Sequence, residues 1–300
     1  MTDLNAAADR SRLLRLRVRA ETLATRIPRW ATSTALLVLF AVASWLAAAR
    51  LELSWRDIEL VWLAGAVALG VPMTVLANAT EYRHTARAVG AHVSLAPATR
   101  VAVSATAANL LPLPGGALVR ITALTRSGVR ARAAGSATVI AGLCWIAVGM
   151  TLAGLALTSH RPAVGAATAL AGLGIGGGTF AAATRLLGAG KAARWFWKLV
   201  TIETASVLAS ALRMTLGLAA LGVGIRPLDG TVLALSGVIS NSVGIIPAGL
   251  GLKEAITAGL ATALVLPASL GFVVSVLDRA VGLLGHGLLA LPLMIERRPT

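Results

Sequence analysis

The chain has 300 residues, of which 57% are hydrophobic and only 13% charged, and its mean hydropathy is +0.81. That composition excludes an ordinary soluble domain and fits an all-α polytopic membrane protein. The net charge of +15 does not point to nucleic acid: the basic residues sit between long apolar runs, and one Tyr, four Phe and seven Trp leave few aromatics for base stacking.

Residues 1–29 form a basic tail in which Arg10, Arg12, Arg15, Arg17 and Arg19 are interleaved with Leu13, Leu14, Leu16 and Val18. Such a tail either lies against anionic headgroups or hangs in the cytoplasm and fixes orientation. Ala47-Ala48-Ala49 resembles a signal-peptidase site. The apolar run from Trp30 to Ala49 is nevertheless long enough for a membrane span, and it is read as an uncleaved first helix.

Further spans are expected at Ile58–Thr80, Ala133–Leu157, Pro162–Ala183, Leu199–Ile225 and Ala268–Met294. The connections 81–100, 120–132 and 184–198 are basic, as are both termini, which places them in the cytoplasm. Arg50, Arg56, Arg161 and Arg226 fall on the opposite side. The run Gly172-Leu-Gly174-Ile-Gly176-Gly177-Gly178 has no strand beside it, so it reads as close helix packing rather than a phosphate loop.

Two apolar stretches are broken. In residues 101–119, Asn109 precedes Pro112, Pro114, Gly115 and Gly116, and both flanks are basic. In residues 231–266, Asn241 precedes Pro247, Gly249 and Gly251, with Lys253 and Glu254 following. Non-helical backbone at membrane depth needs protein or a wet cavity around it. The expected architecture is therefore about six transmembrane helices plus two re-entrant hairpins in an inverted repeat. The first repeat covers residues 30–157 and the second 162–294, with the hairpins entering from opposite faces. A different count makes 231–249 and 254–266 parts of true crossings.

Several charges fall inside the apolar runs. Lys253, Glu254, Asp278 and Arg279 cluster late in the chain, and Arg213 lies deep in the fifth span. Glu203 lies near the cytoplasmic end of that span and reads as interfacial. Intramembrane charges face a cavity or a partner, so Glu254 with Arg279 is either an ion pair or part of a headgroup site. Asn109 and Asn241 either cap half-helices or contact a substrate. The substrate-binding candidates are Asn109, Arg120, Asn241, Lys253, Glu254, Asp278 and Arg279. Cys144, the single cysteine, and His286 read as packing residues. His84, His92, His160 and His286 are far apart in sequence and make no metal motif, so no metal and no cofactor is expected.

Pro247, Gly249, Gly251 and Glu254, with Arg279 downstream, are the residues in which the chain resembles the flippase-like membrane family. That family includes the transmembrane region of lysylphosphatidylglycerol synthases, and its second half reads P-x-G-G-x-G-x-x-E followed by an Arg. Ala248 and Leu250 depart from the glycine-richer form. Asn109, Pro112, Gly115, Gly116 and Arg120 match the first-half pattern, but Ala117 stands where an acid is common. A later acid–base pair of that half has no counterpart around Ile140–Trp145. The resemblance covers about residues 30–294. It implies an integral protein of the cell membrane, both termini cytoplasmic, that moves an anionic, aminoacylated or glycosylated lipid between leaflets. Glu254, Arg279 and Arg120 would contact the headgroup. The soluble transferase domain of the synthases has no counterpart in these 300 residues, so the sequence gives no support for lipid synthesis by this chain.

Two other functions remain open on the sequence. One is a membrane-embedded enzyme with Glu254 or Asp278 as general base, although no nucleophile–base pair is evident. The other is a non-catalytic partner of a lipid or glycan synthase, or a homo-oligomer, docking through small-residue faces such as Gly172 and Gly176.

Overall fold

The computed structural model describes residues 58–109, 115–243 and 251–295, with scattered positions between 42 and 56. Residues 58–295 all belong to one compact unit of the chain. The basic tail 1–29, nearly all of the first expected span 30–49, and Pro112, Pro114, Pro247 and Gly249 lie outside the described residues.

The described residues are helical throughout, joined by short turns. In chain order they form α1 (Leu60–Ala88), α2 (Leu95–Ala108), α3 (Gly115–Arg126), α4 (Ala131–Leu157), α5 (Pro162–Leu187), α6 (Ala189–Ala220), α7 (Asp229–Val243), α8 (Leu252–Ala263) and α9 (Ala268–Ile295). Five helices are long and apolar enough to cross a membrane: α1, α4, α5, α6 and the stretch Ala268–Leu289 of α9. The chain is a multi-pass membrane protein. Leu170 and Leu173 on α5, and Leu283, Leu284 and Leu288 on α9, turn outward. Bands of exposed leucine on long apolar helices suit lipid rather than water.

Three expected boundaries move. α1 continues to Ala88, so Glu81 and Arg87 are helical rather than in a loop. α5 and α6 are separated only by Gly188, so the basic stretch 184–198 is mostly helix. α6 therefore begins ten residues earlier than the expected Leu199. With 32 residues it extends about 48 Å at 1.5 Å per residue, well beyond a hydrocarbon core of about 30 Å. Glu203 consequently lies near the middle of its helix and is only 4% exposed, which corrects its interfacial reading.

The broken stretches are helix pairs. α2 packs on α3, and α7 packs on α8. α4 and α5 form the most extensive helix contact. There a Cβ on Gly172 would lie 2.6 Å from Thr151 Oγ1 and 2.8 Å from the Ala147 carbonyl. Gly172 and Gly176 thus face α4 within the chain and do not form an outer docking face. One core gathers α4, α6, α7, α8 and α9 around Met214, Leu218, Leu233 and Val274. A second joins α4, α5 and α6 around Cys144, Trp195, Phe196 and Leu199.

At one end, the turn after α4 is tied to the turn before α7. Arg226 donates to Asp229 Oδ2 at 3.1 Å and to Ser159 Oγ at 2.6 Å. The Asp229 carboxylate beside it holds the exposed Arg226 guanidinium still more firmly protonated.

Candidate functional site

The end of α2 and the start of α3 are built to touch. Asn109 follows the last turn of α2, and its Oδ1 accepts a hydrogen bond from the Gly116 N–H at 2.8 Å. A Cβ on Gly115 would sit 2.1 Å from the Ala108 carbonyl oxygen, and one on Gly116 would sit 2.6 Å from Asn109 Oδ1. Only glycine permits that approach. Asn109 thus caps the start of α3, where an N–H group otherwise lacks a partner.

The start of α8 uses a carboxylate instead. Glu254 Oε2 accepts from the Gly251 N–H at 2.9 Å, and its Oε1 accepts from Arg279 Nε at 2.8 Å. Glu254 has no exposure at all. It stands behind the wall and holds Arg279, so it touches nothing that enters from the cavity.

Asp278, one residue before Arg279, is held twice. Arg213 Nε donates to it at 2.8 Å and Lys253 Nζ at 2.6 Å. Arg213 also donates through Nη1 to Thr74 Oγ1 at 2.9 Å, and Thr74 donates to the Gly70 carbonyl at 2.8 Å. Gly70 closes a π-helical stretch of α1, Ala66–Gly70, and a Cβ there would lie 2.3 Å from Arg213 Cγ. π-Bulges recur at functional sites. This one lets Arg213 lie against the α1 backbone.

Arg120 on α3 is paired with Glu81 on α1, and Glu81 Oε1 also accepts from Thr85 Oγ1 at 3.1 Å. An unpaired charge at membrane depth costs about 2.5–3.5 kcal/mol on insertion scales, which these pairs offset.

Among the described residues, the helices line a partly open cavity of about 400 Å³. Of the sequence-predicted site residues, Asn109, Arg120, Asn241, Lys253, Asp278 and Arg279 all line it, and Glu254 alone does not. Residues 109–120 and 241–279, remote in sequence, therefore meet around one space. Glu81, Glu203, Arg213, Thr74 and His286 line it too. The reading of His286 as a packing residue is corrected accordingly, whereas Cys144 is buried in the α4–α5–α6 core. Glu81 is the residue that sequence reasoning misses, because a span ending at Thr80 puts it in a connection. Its signal is Asn78 and Glu81 three apart at the end of an apolar run, one face of a continuing helix. Ser210 and Ser240 in the wall donate their hydroxyls to the Ser206 and Gly237 carbonyls, so neither is poised as a nucleophile.

The chain matches no protein-family model and no curated protein.

Proposed function

We propose that the protein is a flippase-like lipid translocase in which the cavity takes the headgroup of an amphiphile while its acyl tails stay in the bilayer. The observation that carries this reading is the convergence of two broken helix pairs on a single charged cavity inside a bundle of apolar helices. A volume of about 400 Å³ lies within the range of small-ligand sites. Arg120, Arg213, Lys253 and Arg279 suit a phosphate, and Asn109 and Asn241 offer neutral hydrogen bonds.

In this reading the α2–α3 and α7–α8 pairs are re-entrant hairpins of an inverted repeat. The protein sits in the cell membrane with both termini cytoplasmic, and its partners are membrane lipids. The resemblance to the membrane region of lysylphosphatidylglycerol synthases agrees with each of these points. An anionic, aminoacylated or glycosylated lipid is the expected cargo.

Leaflet-resolved transport in proteoliposomes tests the reading. Fluorescent phosphatidylglycerol should reach the outer leaflet faster with protein than without, and Arg279→Gln and Lys253→Gln should each slow it at least tenfold. Equal rates in protein-containing and protein-free vesicles, across anionic and zwitterionic lipids, would remove the translocase reading.

A further inference from the structure

Glu203 lines the cavity and is 4% exposed. Among the described residues it makes no hydrogen bond and no ion pair. The other carboxylates at the cavity, and Glu254 behind its wall, all have cations: Glu81 has Arg120, Glu254 has Arg279, and Asp278 has both Arg213 and Lys253. Acids and bases therefore balance in total and not in place. Arg213 and Lys253 share one carboxylate, which leaves positive charge over at their end. Glu203 leaves negative charge over at the other.

Both ends lie on one face of α6, where Glu203, Ser206, Val207, Ser210, Arg213 and Met214 all reach the cavity. Ten residues of helix separate Glu203 from Arg213 by about 15 Å. Near Glu203, α1 brings Glu81, and α3 brings Arg120, which Glu81 already holds. α4 packs the buried Cys144 against the same stretch of α6. The other charges on α6 itself are Lys191, Arg194, Lys198 and Arg213, and α5 carries Arg185 at its far end. α7 faces the cavity with neutral Ser240 and Asn241, and α9 faces it with Asp278, Arg279 and His286. Arg120 is the nearest cation and has two carboxylates to answer for, so one negative charge stays uncompensated away from bulk water. Such a charge is removed by binding a cation, and the smallest is the proton.

We propose that Glu203 is a proton-binding site, and that its proton is coupled to an anionic headgroup held at the Arg213–Lys253 end of the same cavity. The step is simple: a carboxylate takes one proton, the cavity gains one positive charge, and one phosphate monoanion restores neutrality. Coupling is reciprocal, so the proton tightens anion binding and the anion tightens proton binding by the same factor. Over about 15 Å, at an effective dielectric of about 20, that factor is roughly sixfold. Anion affinity rises as pH falls through the Glu203 midpoint. The proton site stands on the geometry alone, while the headgroup half rests on the translocase reading.

Infrared difference spectroscopy separates the two. The full chain is placed in nanodiscs of phosphatidylcholine and titrated with pH. A carboxylic-acid C=O band should fade as pH rises, be missing in Glu203→Gln, and return at a shifted frequency in Glu203→Asp. Short-chain phosphatidylglycerol should move the midpoint up by about 0.8 pH unit, the same sixfold factor. If wild type and both variants share one spectrum, there is no proton site. If the band is lost in Glu203→Gln but indifferent to phosphatidylglycerol, the coupling is wrong. An intact, responsive band in a protein that moves no lipid would overturn the translocase reading and leave the proton site standing.

Discussion

Arg120 on α3 takes its carboxylate partner from Glu81, 39 residues earlier on α1, whereas Arg279 takes its partner from Glu254, 25 residues earlier at the start of α8. The position where a nearby acid is expected, Ala117, also lines the cavity. A carboxylate is still present on this side of the site. It reaches Arg120 from a different helix, and it links α1 to the α2–α3 pair in doing so.

Breaking that link should be costly. Removing one member of a buried ion pair destabilises by about 3–5 kcal/mol, because the survivor is left charged and unpaired. The Arg120 side chain keeps 20% of its exposure, so Glu81→Gln should fall at the low end of that range. Thermal unfolding in detergent, followed by tryptophan fluorescence, should show a lowered midpoint. The double variant Glu81→Gln with Arg120→Gln should be less damaged than the sum of the singles. Simple additivity would mean that the pair is not coupled.

Gly70 and Gly135 offer a matched comparison. A methyl at Gly70 would press on Arg213 Cγ, whereas nothing lies within 4 Å of the Cβ position at Gly135. Gly70→Ala should destabilise by about 1–3 kcal/mol through overpacking, and weaken the Arg213 contacts to Thr74 and Asp278. Gly135→Ala should be neutral or stabilise by up to about 1 kcal/mol, since alanine is the better helix former. Equal melting temperatures for the two variants would contradict the close approach of α1 and α6.

Glu254 and Arg279 should part company in kinetics. Arg279→Gln removes a group from the cavity wall, so the lipid concentration needed for half-maximal transport should rise in addition to the stability lost by leaving Glu254 without its cation. Glu254→Gln removes a cap and a counter-ion that never meet the cavity, so stability should fall first, by about 3–5 kcal/mol. The opposite pattern in paired melting and transport assays would put Glu254 on the wall and Arg279 behind it.

Cys144 is fully buried and is the single cysteine, so the natural chain should not react with a membrane-impermeant maleimide while folded. Engineered cysteines can then report sidedness without background. Ser11→Cys and Arg298→Cys should label only from the cytoplasmic face, and Thr158→Cys only from outside. Labelling of Thr158→Cys and Ser11→Cys from the same face would contradict the proposed crossings between them, and labelling from exchanged faces would reverse the proposed orientation.

Much of this molecule can be read from the chain, and the parts that cannot share one cause. Long apolar runs mark helices by length and composition, so Ala133–Leu157 and Ala268–Met294 sit within two residues of α4 and α9. Proline and glycine mark broken backbone locally, so both helix pairs are visible. Charged residues are harder to place, because a run of hydropathy ends at a charge whether or not the helix does. Glu81 and Glu203 read as connection and interface for that reason. Arg120, the partner of Glu81 and a neighbour of Glu203, comes from another helix, and tertiary packing keeps the charges inside. Sequence distance also hides Glu254's duty as a cap, which depends on the turn at Gly251.

Asp278 has one more counter-ion than its charge requires. If Lys253 swings away toward something in the cavity, Arg213 still neutralises the carboxylate, with Thr74 holding the guanidinium in place. The departure strands no buried charge on the protein. Lys253 is the natural one to move, as a compact ammonium on a flexible stem, whereas the planar guanidinium is fixed by several directional bonds. The pairing therefore works as a parking place: it keeps an ammonium at membrane depth while the cavity is vacant, and it can let that ammonium go without the fold noticing.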